Sequence, residues 1–331
     1  MAPATISNAR PSLDTSGRSS RQDDAIVEAA WCYYHDGMNQ MEIAKRLGVS
    51  RASVVNYLAE ARRRDYVRVT LDTGIFHNHR LVHDIKTMFG LSEALIVPDN
   101  PSDDQRTAER VVRVASDWLP QLLEPGDHLG VAWGDTIYRL AEMAPKLQLQ
   151  DLTIVQLLGS RTGEIGSASE NCAATLADRL GAHCANLHVP LTLSSTQLAE
   201  ALRAEPSIAR HLRLIDECRK VIFASGTFEP GSHVERVGLV SPENMAAMRA
   251  QGATGVICGR VIDQDGVPLV APNEDKMIGI SLDAMRAKDM GILVSSGADR
   301  LNATHAALRG GYATHLVTSS RTAEGLLRLG P

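Results

Sequence analysis

The chain has 331 residues, a net charge of −5, 44% hydrophobic and 22% charged residues, an ordinary composition for a globular protein of two or three domains. This balance excludes a chain that is disordered over most of its length. No apolar run approaches the roughly 18 residues of a membrane-spanning helix, and the N-terminus lacks the apolar core of a signal peptide. We therefore expect a cytoplasmic protein that makes no membrane contacts.

The cysteines and histidines indicate neither a disulfide framework nor a metal centre. The cysteines are odd in number and lack a CxxC spacing, which predicts free buried thiols at Cys32, Cys172, Cys184, Cys218 and Cys258. An HxHxxxH pattern has metal-like spacing, but no pair of acidic ligands accompanies it; its residues are His77, His79 and His83. We expect a polar linker there, and no metal or cofactor elsewhere.

The charge is distributed unevenly along the chain. Between Lys45 and Arg68 there are seven basic residues and two acidic ones, whereas acidic residues are in excess from residue 71 to the end. A small basic module on an acidic body is typical of a unit that binds a polyanion such as DNA. A solvated basic surface remains the alternative.

The N-terminal part is predicted to be a small all-α domain. Residues 1–21 are rich in Ser and Pro and lack periodicity, so we expect a disordered tail, with the folded domain at 22–71. Apolar residues at helical spacing predict a first helix over Asp24 to His35, which Gly37 ends.

A helix-turn-helix pattern follows. Residues 39–42, Asn-Gln-Met-Glu, form a capping box that begins a second helix at Gln40. Gly48 suits the tight turn between two crossing helices, and Ser50 caps a third helix over residues 51–64. The second helix of a helix-turn-helix motif, which is the third helix of this chain, enters the major groove of DNA. A three-helix bundle that binds nothing is the alternative.

The third helix supplies the candidate DNA contacts. Residues near its N-terminus are expected at base edges, namely Arg51, Ser53, Asn56 and Tyr57. Basic residues nearby are better placed for phosphates, namely Lys45, Arg46, Arg62 and Arg63. Residues 66–71 alternate like a short strand, and residues 72–85 are expected to be a linker.

The remaining residues, 86–331, are predicted to form one large α/β domain. Short apolar runs predict strands at 94–97, 129–133, 153–158, 186–189, 221–224, 292–295 and 315–318. Amphipathic stretches predict helices near 105–123, 136–143, 170–180, 208–218, 242–251, 300–309 and 321–327. The alternation implies βαβ units and a mainly parallel sheet, which binds ligands at the carboxyl ends of its strands.

Two predicted strand ends carry residues suited to a polar ligand. One is the turn GVAWGDT at residues 130–136 and the other is SSGADR at 295–300, while Gly226-Thr227 follows a third strand. Backbone amides, hydroxyls and a guanidinium could bind an anion or sugar hydroxyls there. The candidate effector contacts are Gly134, Asp135, Thr136, Ser296, Gly297 and Arg300.

Motifs of common enzymes are missing from this domain. The sequence contains no GxGxxG after the first strand, no GxxxxGK[ST], no GxSxG and no HExxH, and it places no acid–base pair at a shared strand end. The absence of these motifs favours a receptor over an enzyme as the function of this domain.

Five segments of the chain together match the pattern of a known family: NQMEIAKRLGVSRASVVNYLAEARRRDYVRV, GVAWGDT, VQLLGS, GATGVICGRVIDQDG and SSGADRLNATHAALRGGYATHLVTSSRTAEGLL. Through these segments the chain, from about Ala25 to Leu327, resembles the SorC family of bacterial sugar-binding transcriptional regulators, which are grouped with DeoR-type regulators. The resemblance implies an effector domain related in fold to sugar-phosphate isomerases, a homotetramer, and an operator that controls carbohydrate catabolic genes. It also implies that Gly134 and Thr136 contact the phosphate or hydroxyls of the effector, and that Arg300 stands where many members have Lys.

Three positions depart from the family pattern. Where many members read Gly-Asp after the GAxG segment, this chain has Val256. Residues 318–320 read Thr-Ser-Ser in place of Thr-Asp-Glu, and residues 296–297 read Ser-Gly in place of Gly-Gly. Two carboxylates that could accept from sugar hydroxyls are lost, whereas Arg300 can still bind an anion in a bidentate fashion. The effector is therefore expected to be unusual, and it need not be phosphorylated.

The primary hypothesis is a DNA-binding transcriptional regulator whose operator affinity depends on a sugar, polyol or sugar phosphate. Such a ligand would act by differential affinity for two arrangements of the oligomer. Two alternatives remain: an enzyme of the sugar-phosphate isomerase type, and a DNA-binding oligomer that is blind to metabolites.

Overall fold

The computed structural model describes residues 16–77, 79–160, 169–236 and 239–331. The chain forms two compact units, which meet in the sequence between Leu71 and Asp72. Of the predicted tail, residues 1–15 lie outside the described residues. Residues 16–21 belong to the first helix, so that part of the prediction is wrong. None of the described helices combines the length and the apolar character needed to cross a bilayer.

The first unit consists of helices packed around a small apolar core. Its helices are α1 (Ser16–Tyr34), α2 (Gln40–Leu47) and α3 (Arg51–Arg63). The core residues are Ile26, Ala29, Ala30, Cys32, Ile43, Ala44, Val54, Leu58 and Ala61. Residues 66–71 form no strand, because β-propensity alone does not pair a segment that has no neighbouring strand.

The predicted helix caps of this unit are confirmed. Asn39 Oδ1 accepts hydrogen bonds from the amides of Met41 and Glu42 at 3.0 and 3.1 Å, and Glu42 Oε2 accepts from the Asn39 amide at 2.8 Å. Gly48 has φ 64°, which ends α2 in the left-handed conformation. Ser50 Oγ accepts from the Ser53 amide at 3.0 Å and caps α3.

The second unit is an α/β domain, as predicted. Its strands are β1 (Glu93–Val97), β2 (His128–Val131), β3 (Thr153–Gln156), β4 (His183–Ala185), β5 (Lys220–Phe223), β6 (Ser225–Thr227), β7 (Ala253–Ile257), β8 (Arg260–Asp263), β9 (Pro268–Leu269), β10 (Met290–Val294) and β11 (His315–Ser319). In the described residues, a seven-stranded parallel sheet has the order β1-β11-β10-β5-β2-β3-β4, and an antiparallel sheet has the order β6-β7-β8-β9.

Helices cover both faces of the parallel sheet. They are α4 (Gly74–His77), α5 (Val82–Phe89), α6 (Asp104–Trp118), α7 (Asp135–Met143), α8 (Ser169–Leu180), α9 (Thr196–Ala204), α10 (Pro206–Glu217), α11 (His233–Arg236), α12 (Pro242–Ala250), α13 (Leu282–Arg286), α14 (Leu301–Arg309) and α15 (Ser320–Leu329). Successive residues of β1 pack into two apolar cores on opposite faces of the sheet. Ala94 and Ile96 belong to the core that includes residues of α5, whereas Leu95 and Val97 belong to the core that includes residues of α6. The strands are therefore buried on both faces.

The predicted linker at residues 72–85 is instead folded onto this domain. It contains α4 and the first half of α5, and its apolar side chains reach the two cores. The buried residues are Phe76, Leu81, Val82 and Ile85. The histidines between these apolar residues made the segment look polar, although the spacing is helical.

Several elements of the second unit were misplaced or missed. The predicted strand 186–189 is wrong, because β4 ends at Ala185. The small sheet β6–β9 and the helix α9 were not predicted. The strands of that sheet have two to five residues, too few to show a period of two, and one of them contains Pro268.

Candidate functional site

The exposed surface at the start of α3 is the candidate DNA contact. Arg51 and Asn56 are exposed, whereas Ser53 and Tyr57 are half-buried. Ser53 Oγ lies 2.9 Å from Ser50 Oγ, so it takes part in the helix cap. Tyr57 packs against the apolar core of the unit. Arg51 and Asn56 are therefore the most accessible of the four to a base edge.

The candidate phosphate contacts are mostly held by neighbouring side chains. Arg46 Nη2 lies 2.8 Å from Glu28 Oε1 and Arg62 Nε donates to the Tyr34 hydroxyl at 2.6 Å. Arg63 forms an ion pair with Glu60. Exposed ion pairs of this kind contribute little to stability, so DNA phosphates can displace them at little cost. Lys45 is exposed on α2.

The carboxylate of Glu60 lies among the arginines at the end of α3, and its pKa is lowered. Glu60 accepts hydrogen bonds from Arg63 and Arg64, and these contacts lower the pKa of its carboxyl to about 2. Asp23 also binds Arg64, at 2.6 Å. Arg64 thus pairs with one carboxylate of α1 and one of α3, and it connects the two helices.

The candidate effector residues lie at neighbouring strand ends of the second unit. Gly134, with φ 129°, is the N-cap of α7 after β2, and Gly297, with φ 110°, follows β10. Strand β5 lies between β2 and β10, so both turns open at the same edge of the sheet. Arg300 Nη1 donates to Thr136 Oγ1 at 2.7 Å and connects the two turns.

Two adjacent cavities open at this edge, with volumes of about 550 and 460 Å³. Both are lined by Asp135, Thr136, Asp299 and Arg300. Gly134 lines the larger cavity, and Ser296 with Gly297 lines the smaller one. The structure thus brings all six candidate effector residues together around two adjacent spaces, each of a size typical for a small ligand.

The larger cavity has a wall that sequence reasoning missed. It comes from the segment between β6 and α12 and includes Glu229, Ser232 and Arg236. The Ser232 hydroxyl is buried and has no hydrogen-bond partner among the described residues. Trp133 adds an aromatic wall on the other side. In the sequence, only Gly226-Thr227 pointed to this wall. The rest of the segment carries no recognisable motif, because it reaches the site through a long connection.

Ion pairs and buried hydroxyls order the walls of the cavities. Asp135 Oδ2 lies 3.0 Å from Arg139 Nε, and Glu229 Oε2 lies 2.6 Å from Arg249 Nη2. Three buried hydroxyls hydrogen-bond to one another at 2.7 to 3.4 Å; they belong to Ser225, which lines the larger cavity, Ser295, which lines the smaller one, and Thr304. The result is a set of donors and acceptors that is ordered in advance of any ligand.

A cysteine in the larger cavity is not arranged for nucleophilic chemistry. Burial raises the pKa of the Cys258 thiol to about 12, so the thiol stays protonated near neutral pH. Two histidines of the HxHxxxH pattern contact other side chains. His77 lies 3.2 Å from Glu93, and His79 approaches Ser320 at 3.1 Å. No cluster of metal-ligating side chains occurs in the described ranges.

Comparison with known proteins decides the family. The model of the sugar-binding domain family (Sugar-bind) matches residues 73–328. An uncharacterized transcriptional regulator of Escherichia coli K12, YjhU, is 35% identical over 95% of this chain and 97% of its own length. The chain belongs to the SorC family of sugar-binding transcriptional regulators. This SorC-family protein is a transcriptional regulator, and the relatives that it matches are regulators and not enzymes.

Other comparisons cover the same two units of this regulator. The KorB domain model matches residues 35–96, which include α2 and α3, and it supports DNA binding. The deoxyribonucleoside regulator of Bacillus subtilis is 26% identical over 91% of this chain and 96% of its own length. The full-length sorbitol operon regulator SorC of Klebsiella pneumoniae has a similar fold, with a TM-score of 0.74, 24% identity, and coverage of 92% of this chain and 98% of that chain.

Proposed function

We propose that α3 reads an operator through its N-terminal half and that the basic residues around it bind the phosphates. The base-edge contacts are Arg51, Ser53, Asn56 and Tyr57, and the phosphate contacts are Lys45, Arg46, Arg62 and Arg63. The exposure of Arg51 and Asn56 supports this assignment, because their side chains can bond guanine and adenine respectively in a bidentate fashion. Neither side chain contributes to the core of the unit.

We further propose that the two adjacent cavities bind a small carbohydrate or sugar phosphate. The observation that carries this proposal is the Arg300–Thr136 hydrogen bond, which places a guanidinium between the cavities. A phosphate, a carboxylate or a hydroxyl of the ligand would bind this guanidinium and the amides at the start of α7. The Ser232 hydroxyl and the Trp133 ring would contact the remainder of the ligand.

The regulatory scheme follows from the linkage of two binding reactions. A ligand changes operator affinity only if it binds the DNA-competent and DNA-incompetent arrangements differently. We propose that these arrangements belong to a homotetramer in the cytoplasm, and that the controlled genes serve carbohydrate catabolism. We also propose that the effector domain is related to sugar-phosphate isomerases. A single recognition helix covers too few base pairs for genomic specificity, which supports paired half-sites.

The first experiment is a selection of genomic fragments by the purified protein at near-physiological salt. We expect enrichment of a palindromic site beside carbohydrate genes and a loss of enrichment with Arg51→Ala. Arg219→Ala is the matched control, because Arg219 is an exposed arginine of the second unit that pairs with Asp289. Absence of enrichment at every salt concentration would contradict the assignment of α3.

The second experiment tests the effector site with a panel of sugars, polyols and sugar phosphates. We expect at least one compound to raise the melting temperature and to change operator affinity, because a ligand that binds only the folded state stabilises it. Retention of operator binding without a response to any compound would favour the alternative of a DNA-binding oligomer that is blind to metabolites.

A further inference from the structure

A contact between the two helices of the DNA-binding motif involves a residue that has no assigned role. Gln40 is the first residue of α2 and is half-buried, and Arg51 is the first residue of α3 and is exposed. Gln40 Oε1 accepts a hydrogen bond from Arg51 Nε at 3.2 Å. The contact therefore joins the starting points of both helices.

Both partners project from backbone that is held in place. The capping box of Asn39 and Glu42 fixes the start of α2, and Ser50 fixes the start of α3. The Gln40 carboxamide consequently meets Arg51 from a defined position. An arginine side chain otherwise samples many rotamers, so a hydrogen bond to Nε narrows the directions in which its guanidinium can point.

The contact leaves the reading end of the guanidinium open. The hydrogen bond uses Nε, and the two Nη groups have no partner among the described residues. Those two groups form the fork that bonds the N7 and O6 atoms of guanine. The acceptor is a neutral amide, so the positive charge of Arg51 is not compensated by a carboxylate, in contrast to Arg46 beside Glu28 and Arg63 beside Glu60.

We propose that Gln40 is a positioning residue for sequence reading: it orients Arg51 and thereby sets the strength of the preference for guanine at one base pair of each half-site. This inference rests on the proposed function, because it requires Arg51 to read a base. Gln40 acts through Arg51, so its removal weakens discrimination at the base pair that Arg51 reads and leaves the other base pairs of the site unchanged.

The test is a selection from a random double-stranded DNA library with the full-length protein at one fixed salt concentration. The variants are Gln40→Met, which keeps the length of the side chain without its oxygen, Arg51→Ala and the double variant. The base pair at which Arg51→Ala abolishes guanine preference defines the position to score. We expect wild type to prefer guanine there by about tenfold or more, and Gln40→Met to retain a preference of about threefold.

Two further variants separate positioning from a structural role. Gln40→Glu keeps an acceptor for Arg51 Nε and should keep the guanine preference, although its charge lowers overall affinity. Lys45→Ala, a phosphate contact on the same helix, should weaken all sequences evenly. Gln40→Met added to Arg51→Ala should cause no further change at the scored base pair, since the residue through which it acts is gone.

The outcomes distinguish the inference from the proposed function. If wild type selects no sequence, the proposed function fails. If wild type selects a site but Arg51→Ala changes no base pair, operator binding stands and the inference is overturned, because nothing remains for Gln40 to position. An even loss across all base pairs with Gln40→Met, or an unchanged preference at the scored base pair, also overturns it.

Discussion

Arg300 Nη1 and Thr136 Oγ1 are 2.7 Å apart although 164 positions separate them in the chain. The contact spans strand β5, because Thr136 follows β2 and Arg300 follows β10. It holds together the wall that the two cavities share. We expect a ligand group that binds Arg300 to join or replace this hydrogen bond, which would link ligand binding to the relative position of the two turns.

Removal of the guanidinium should weaken effector binding more than it weakens the fold. We expect Arg300→Ala to lower the affinity for a responding ligand by about tenfold or more, since a hydrogen bond to a charged group contributes about 1.5–3 kcal/mol. Isothermal titration measures this change. Arg309→Ala is the matched control, because Arg309 ends α14, the helix that Arg300 directly precedes, and it pairs at the surface with Asp265. Equal losses in the two variants would argue against the role of Arg300.

The Ser232 hydroxyl should stabilise the complex and destabilise the free protein. It is buried without a partner among the described residues, so Ser232→Ala should raise the free energy of unfolding by about 1 kcal/mol in the absence of ligand. The same variant should bind a hydroxylated ligand more weakly. Ser225→Ala is the contrasting variant: its Oγ lies 3.1 Å from Thr304 Oγ1, and its removal should destabilise the free protein. Denaturation with and without ligand gives both quantities.

Loss of the capping box should reduce the stability of the DNA-binding unit and leave the stability of the second unit unchanged. We expect Asn39→Ala to destabilise the first unit by about 1 kcal/mol and to reduce operator affinity, because two amides at the start of α2 lose their acceptor. Asp103→Ala removes the equivalent cap of α6 in the second unit, where Asp103 Oδ1 accepts from the Arg106 amide. Operator binding that falls equally in both variants would be inconsistent with independent roles of the two caps.

The stability of the second unit should fall in mild acid because of buried histidines. Burial lowers the pKa of His211 from its ordinary value of 6.5, and His211 Nε2 lies 2.8 Å from the carbonyl of Gln156. The unfolded chain then binds a proton at a higher pH than the folded chain does. The contribution of neutral His211 is therefore complete above pH 6.5 and is lost as the pH falls from there towards the lowered pKa of the folded state.

His211→Gln should reduce this pH dependence, because a glutamine amide can donate to the same carbonyl and does not titrate. The measurement is the free energy of unfolding between neutral and mildly acidic pH, compared with wild type. His183→Gln, at an exposed histidine of β4, serves as the control. An unchanged slope for His211→Gln would show that other groups cause the acid sensitivity.

Local signals in the sequence predicted the DNA-binding unit in detail. The caps at Asn39 and Ser50 and the turn at Gly48 depend on residues within four positions of one another, so their chemistry can be recognised without the fold. The same holds for the turns at Gly134 and Gly297, which follow apolar strands directly. The start of α1 lacked such a cap signal, and the predicted start at Asp24 lies eight residues after the observed start at Ser16.

Only the tertiary structure decided which of these local features meet. The bond from Arg300 to Thr136 depends on the strand order, and the Ser232 wall depends on a connection that returns to the site from the small sheet. The folding of residues 72–85 onto the large domain likewise depends on cores formed by distant strands. A sequence determines helix caps, turns and apolar runs through neighbouring residues, whereas contacts between distant segments follow from the packing of the whole domain.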